Sequence, residues 1–411
     1  MPTTLWKNLL YRAALPLSTP RVRHNMEHYA SNDAVPLREV ERILSRHHVI
    51  GSSLLISDAA EGNEWSVLSS VPSLGHVALQ NTVFRVASIT KTATALVILR
   101  LVQDGAFRLD DPVMPLLPLD DDVRPVMEGI TVRHLLSHRS SLRDVPGIES
   151  ILLAQGTLSD ALRLPGIRVG MPDQTFSYCN FGFGLLGSLI EQVIGECVED
   201  VFQKQLFQPL SMYASLSALS FPDEEIMPIL RVLPYRPGTD VLRTTLGQIP
   251  LDKPDPERHF GYTQGSMYTD ADSLSSMIQI ISPPGEIHDS FFLRSDLIHE
   301  MKTVHSVYGR RSPTLSYGLG LLIIRDPRIS SHRILGHQGF AYGCVDGAFT
   351  EEGTGRKMVF VNGGCSEARS GMLGLCNRDL LKLVYRDLPV SSPRSYRAVM
   401  GPASRPKKEA R

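Results

Sequence analysis

Between Phe84 and Leu101 the chain reads FRVASITKTATALVILRL. It is extended in character up to Ser88 and helical beyond it, with Ala95, Leu96, Leu99 and Val102 at three- and four-residue spacings. Gly105 stands where such a helix would end. A helix so apolar has to be enclosed by other elements. The same stretch places the ammonium of Lys91 one turn from the hydroxyl of Ser88, inside something that otherwise reads as core.

The rest of the chain offers the enclosing layers. VPLREVERILSRHH reads as an amphipathic helix with Val40, Ile43 and Leu44 on one face. VIGSSLLISDAAEGNEWSVLSS reads as an antiparallel hairpin around a turn-rich centre. ITVRHLLSHRSSL reads as a helix and its exit, and residues 157–250 read as mainly helical. MYTDADSLSSMIQIIS is a helix starting near Thr269 or Asp270. After about residue 315 glycine-broken β-type runs follow, and GMLGLCNRDLLKLVYRDL closes the chain as a helix. This order predicts an α/β (α+β) unit, an antiparallel sheet built from both ends of the chain with helices around it. Its α/β part takes residues 36–105 and 255–390, and a mainly helical part takes 106–254. Residues 1–35 read as a loosely attached arm, and 391–411 as a disordered basic tail.

Ser88 and Lys91, at i and i+3, share a helix face. A serine hydroxyl is a poor nucleophile until a base takes its proton. Lysine can be that base when desolvation lowers its pKa. A helix N-terminus adds N–H groups and a dipole that favour a developing oxyanion. The pair alone is also an ordinary helix start. Two further segments supply what such a pair needs. In FSYCNFGFGLLG, Tyr178 and Asn180 flank Cys179 and project the same way if the segment is extended. Tyr178 can serve as a phenolate base or proton relay, and Asn180 can bond a substrate carbonyl or hold Lys91. In GHQGFAYG, His337 and Gly339 stand at i and i+2 on a β-run. His337 can bind a substrate carboxylate or assist proton transfer. Gly339 lets backbone approach a ligand, and the Phe340 N–H can pair with that of Ser88 as an oxyanion hole. The plainer readings are a packed tyrosine, a turn asparagine and a satisfied strand histidine.

The ordered set Ser-x-x-Lys, Tyr-x-Asn, His-x-Gly resembles the serine β-lactamase and penicillin-binding-protein superfamily, nearest its class C-like branch of esterases, D-peptidases and acyltransferases. FRVASITK, FRLDDPVMPLLP, ITVRHLLSHRSSL, GSMYTDADSL and YGLG are similar to that family's landmarks, and the likeness spans roughly residues 36–385. The resemblance implies a β-lactamase/transpeptidase-like fold with the site between its two parts. It implies Ser88 as acylated nucleophile, Lys91 as its base, Tyr178 as activator and leaving-group acid, and Asn180 as substrate-positioning residue. His337 stands where penicillin-processing members more often carry lysine, which weakens the case for a β-lactam carboxylate. Ser141 occupies the position of the glycine in the family's Thr-Ser-Gly turn, so the loop is expected to be rebuilt there.

Composition removes other classes. A formal net charge of −1 recruits neither nucleic acid nor an anionic membrane. No stretch approaches the roughly 20 apolar residues of a membrane-crossing helix. Five cysteines without a Cys-x-x-Cys pair fit reduced thiols. With no good secretory signal, the expectation is a cytoplasmic protein, although the lack of acidic residues before Glu27 also fits an organelle presequence. No cofactor or metal is expected. His134 and His138 have the i, i+4 spacing of zinc proteases, but Leu135 stands where the glutamate would be. Cys179 as nucleophile is the weaker reading, since a small residue between two pocket side chains points into the core. The expected function is a serine hydrolase acting on a small-molecule ester, amide or thioester. Its alternatives are an acyltransferase of secondary metabolism, a lyase or isomerase, and a catalytically silent ligand-binding member.

Overall fold

The computed structural model describes residues 24–30, 36–58, 63–232, 235–237, 250–282, 292–308 and 314–388, with residues 9, 13 and 14 before them. The expected basic tail at 391–411 lies outside the described residues.

One nine-stranded antiparallel sheet draws its strands from two distant parts of the chain. The first part contributes β1 (Asn25–Ala30), β2 (Ser52–Asp58) and β3 (Asn63–Ser70). The second contributes β4 (Ser306–Val307), β5 (Leu315–Tyr317), β6 (Leu322–Ile324), β7 (Ile334–Ala341), β8 (Cys344–Glu351) and β9 (Lys357–Asn362). The strand order is β1-β3-β2-β9-β8-β7-β6-β5-β4. The expected hairpin is β2–β3, with Ser52 opposite Ser69 and Asp58 opposite Asn63. The expected arm needs correction. Asn25–Ala30 pairs with β3 from Asn25↔Ser70 to Ala30↔Trp65 and forms the sheet edge. Its alternation is too polar to be read as a strand without the partner.

The sheet is buried on both faces, so its inner strands carry apolar residues at consecutive positions. In β2, Leu54 and Ile56 face one core while Leu55 faces the other. In β9, Met358 and Phe360 divide from Val359 and Val361 in the same way. Helix α1 (Leu37–Arg46) covers the first face through Val40, Ile43 and Leu44.

The opposite face receives the apolar run seen first. A tight turn at Ala87–Ile89 leads into helix α2 (Thr90–Gln103), buried from Thr90 to Leu99. Around it lie α3 (Val132–Leu136), α4 (Ile148–Leu153) and α5 (Asn180–Ile194). In the segment expected to be mainly helical, 157–250, the helices are Leu158–Leu162, Asn180–Ile194 and Val198–Phe207, with turns and extended backbone over 163–179. Beyond Phe207, its described residues form short turns, one two-residue strand at Ala214–Ser215, and a small hairpin at Leu230–Val232 and Tyr235–Pro237. Helix α6 (Ala271–Gln279) starts at Asp270, whose side chain accepts the Ser273 N–H at 2.7 Å. Helix α7 (Leu375–Lys382) returns to the α1 side.

Candidate active site

Ser88 sits in the turn before α2, between two backbone ties. The Val86 N–H donates to the Met267 carbonyl at 3.0 Å, and the Thr90 hydroxyl donates to the Ala87 carbonyl at 2.6 Å. Ala87 is held at φ +45°, a left-handed conformation that a non-glycine residue rarely adopts. The turn is thus set by its surroundings rather than by local preference.

Lys91, on the first turn of α2, is fully buried. Its Nζ donates to Ser88 Oγ at 3.0 Å, to Asn180 Oδ1 at 2.8 Å and to the Gln264 carbonyl at 2.5 Å. Three donors meet three acceptors. Desolvation drives its pKa down to about 7; the Asp144 carboxylate pulls it up and the Arg85 guanidinium pushes it down. A pKa near 7 lets this amine lose a proton near neutral pH, 3.0 Å from the serine oxygen.

Tyr178 and Asn180 enter the same pocket from the start of α5, as their spacing suggested. The Tyr178 hydroxyl shares the pocket with Ser88; desolvation pushes its pKa upward, and the neighbouring Ser88 hydroxyl opposes that only in part. A raised pKa favours the phenol form, which suits a proton relay better than a phenolate base. Asn180 is oriented by Asp144, a residue that sequence reading missed. Asp144 accepts from the Asn180 side-chain amide at 2.7 Å and from the backbone N–H groups of Asn180 at 3.0 Å and Phe181 at 2.9 Å. It thereby caps α5 and turns the Asn180 carbonyl oxygen toward Lys91. It lies three residues past Ser141 in the loop after α3, so only the folded chain brings it to the site.

His337 corrects one expectation. It is buried on β7, and its Nδ1–H donates to the Gln338 carbonyl at 2.7 Å. Its Nε2 accepts from the Tyr317 hydroxyl at 2.9 Å. Desolvation first, then the charge of Lys91, lowers its pKa to about 3. The imidazole is neutral with both nitrogens engaged, so it has no charge and no free donor for a substrate carboxylate. Its ring lines the cavity instead.

Gly339 corrects a second. A Cβ there would collide with the Val86 carbonyl, so the glycine admits the backbone of the nucleophile turn rather than a ligand. The next residue, Phe340, is brought beside Ser88, and the two line the same cavities. A third correction concerns Ser141. It adopts φ +66°, so the loop keeps a glycine-type conformation with serine in place.

The weaker candidates have other occupations. His134 sits in a capping box at the start of α3, its Nδ1 accepting from the Thr131 N–H at 3.2 Å. His138 accepts the Cys179 N–H at 3.2 Å and packs 4.3 Å from the Tyr178 ring. Cys179 caps α5 through its sulfur, and burial raises its thiol pKa well above the usual range. Glu191, Cys197 and His259 bring ligand-type atoms within 4.8 Å of one another. The Glu191 carboxylate already accepts from the Val198 and Asp255 N–H groups, both at 2.7 Å, and lies 2.6 Å from His259 Nδ1. Those bonds read as a buried structural network.

Ser88 opens onto two cavities. The first, of ≈ 390 Å³, is lined by Tyr178, Asn180, Tyr308, Gln338 and Arg369 among others. The second, of ≈ 320 Å³, runs under α4 and includes Val145, Ile148 and Leu152. A nucleophile, a dry base, a phenol relay and two flanking cavities suit acyl transfer to and from serine.

The beta-lactamase family model matches residues 74–363. Penicillin-binding protein 4 of Amycolatopsis lactamdurans is 28% identical over 198 residues, which is 45% of this chain and 49% of that protein. Esterase EstB of Burkholderia gladioli is 27% identical over 339 residues, covering 73% of this chain and 82% of that one. The chain spans about half or less of the first three curated relatives it matches. The solved structure of EstCE1, a hydrolase with promiscuous acyltransferase activity, superposes with a TM-score of 0.64 at 21% identity, covering 84% of this chain and 98% of that one. The fold is therefore that of the β-lactamase/transpeptidase-like proteins. With most of the chain under the family match, from the approach to Ser88 to the end of β9, the chain belongs to the beta-lactamase family.

Proposed function

We propose that this protein is a serine hydrolase that turns over small-molecule esters, amides or thioesters through an acyl-enzyme on Ser88. The observation that carries the reading is Lys91 Nζ, 3.0 Å from Ser88 Oγ with its pKa lowered to about 7. As Oγ bonds to the substrate carbonyl carbon, the Ser88 proton passes to Lys91. Loss of the leaving group breaks its bond to that carbon, and the proton reaches it through the Tyr178 hydroxyl. Water, activated through the same groups, then attacks the acyl carbon; its proton returns to Ser88 Oγ as the acid is released. The Ser88 and Phe340 N–H groups are assigned as oxyanion donors.

An acceptor alcohol or amine in place of water would make the same intermediate an acyltransferase, an activity described for EstCE1. Intact-protein mass spectrometry after a quench with p-nitrophenyl esters tests the reading. An acyl adduct that disappears in Ser88→Ala is expected. A full-strength adduct in Ser88→Ala would sink it. Adding acceptor alcohols to the turnover assay separates transfer from hydrolysis by the ester product formed.

A further inference from the structure

We propose that the cavity under α4 receives the acyl part of the substrate, and that this part is an uncharged aliphatic chain longer than acetyl. The assignment rests on the acyl-enzyme reading above. When Ser88 attacks an ester, the acyl substituent and the departing oxygen leave the carbonyl carbon in different directions. The departing oxygen takes a proton, and the hydroxyl positioned to pass it is that of Tyr178, which lines a cavity together with Ser88. Ser88, Asn180 and Phe340 line both cavities, whereas Tyr178 lines the ≈ 390 Å³ one and not the other. The leaving group therefore faces Tyr178, and the acyl chain is directed into the ≈ 320 Å³ cavity.

The walls of that cavity set the chain's chemistry. Val145, Ile148 and Leu152 come from α4 and its approach, and Ala341 and Tyr342 face them from the end of β7. Ile148 and Leu152 are buried against the helical core and present a fixed apolar wall. The charged groups on this side are Arg85, Asp144 and Glu149. Arg85 is buried, donates to the Gly265 carbonyl at 2.7 Å and lies 5.1 Å from the Tyr342 ring centroid. Asp144 is held by the N–H groups at the start of α5, and Glu149 is exposed. Asp144 and Glu149 are both exposed and disfavour an anionic chain, while Val145, Ile148 and Leu152 offer the apolar wall against which an uncharged chain can lie. The Tyr178 side differs: Gln338, Asn180 and Arg369 line it, and no carboxylate does among the described residues. It suits a polar or anionic leaving group.

Chain-length profiles test the assignment, because apolar pockets discriminate by roughly tenfold or more per added methylene at best and less when shallow. With p-nitrophenyl acetate and hexanoate, the wild type is expected to favour hexanoate by at least about tenfold in kcat/KM. Leu152→Phe, which fills the cavity, is expected to cut hexanoate turnover at least about tenfold and leave acetate within about twofold. If Leu152→Phe does not fold, Ile148→Ala decides, since it enlarges the cavity and should move the preference toward octanoate. A Ser88 adduct from acetate together with a flat profile would overturn the pocket assignment alone. Absence of any Ser88 adduct from either ester would overturn the acyl-enzyme reading and this assignment with it.

Discussion

At the scale of single residues, the proposed chemistry depends on keeping Lys91 dry but not isolated. Its three bonds hold Nζ against Ser88, and burial moves its titration into the working range. Arginine cannot replace it, because a guanidinium does not give up its proton at neutral pH. Lys91→Arg is expected to be as inactive as Lys91→Ala, as judged by initial rates with an activated ester; a working Lys91→Arg would show that a charge, not a base, is needed there. Tyr178→Phe removes one hydroxyl. It is expected to lower kcat by roughly 10²–10⁴-fold while the acidic limb of the pH profile stays in place, since that limb belongs to Lys91. A limb that moves with Tyr178→Phe would make tyrosine the titrating base instead. The motif residues were legible in the sequence because each pair is local: i, i+3 on a helix, or i, i+2 on an extended run. Asp144, Tyr317 and the Gln264 carbonyl were not. They meet Asn180, His337 and Lys91 across 36, 20 and 173 residues of chain. A carbonyl also leaves no mark in a residue alphabet. The charge of His337 was not legible for a related reason: burial and its partners Tyr317 and Gln338, not its identity, determine it.

At the scale of elements, the site is a junction of turns held in unusual conformations. Ser141 carries φ +66°, and its buried hydroxyl has no hydrogen-bond partner among the described residues. Ser141→Gly removes both costs at the expense of a more flexible unfolded chain, for a net gain of about 1 kcal/mol. A higher urea midpoint with unchanged slope is the expected result, and a lower midpoint would contradict it. Gly339 marks the closest approach of β7 to the nucleophile turn. Gly339→Ala drives a methyl group into the Val86 carbonyl and should cost about 1–3 kcal/mol of stability. Because β7 must retreat from Ser88, activity should fall further than the stability loss alone explains. Parallel measurement of urea midpoint and kcat/KM checks this; full activity would show that β7 need not abut the turn.

At the scale of the whole molecule, the sheet joins residues 25–70 to residues 306–362, and the helices between them are enclosed as a consequence. Periodicity made this architecture readable: the aliphatic run of α2 required cover, and the β-type runs at both ends supplied it. The edge strand β1 escaped because its polar alternation acquires meaning only beside β3. The closure of the two ends also rests on a buried ion pair. Arg356 donates from Nε at 3.0 Å and Nη2 at 2.8 Å to Asp58 on β2, and from Nη1 at 2.8 Å to the Val384 carbonyl after α7. Asp58→Ala strands a buried guanidinium and should cost about 3–5 kcal/mol, read as a fall in the urea midpoint. A loss below about 1 kcal/mol, the size of an exposed pair, would show that the ends are held by packing alone. The central claim is that this enclosure turns Lys91 into the base for Ser88. It is tested most directly by the rate of Ser88 acylation, followed by intact mass across about pH 5 to 9 in wild type and Lys91→Ala. Neutral Lys91 is the active form, so the wild-type rate should rise with pH through about 7 and then level, while Lys91→Ala shows no comparable acylation. Acylation of Lys91→Ala at the wild-type rate, or a wild-type rate that does not change through pH 7, would contradict it.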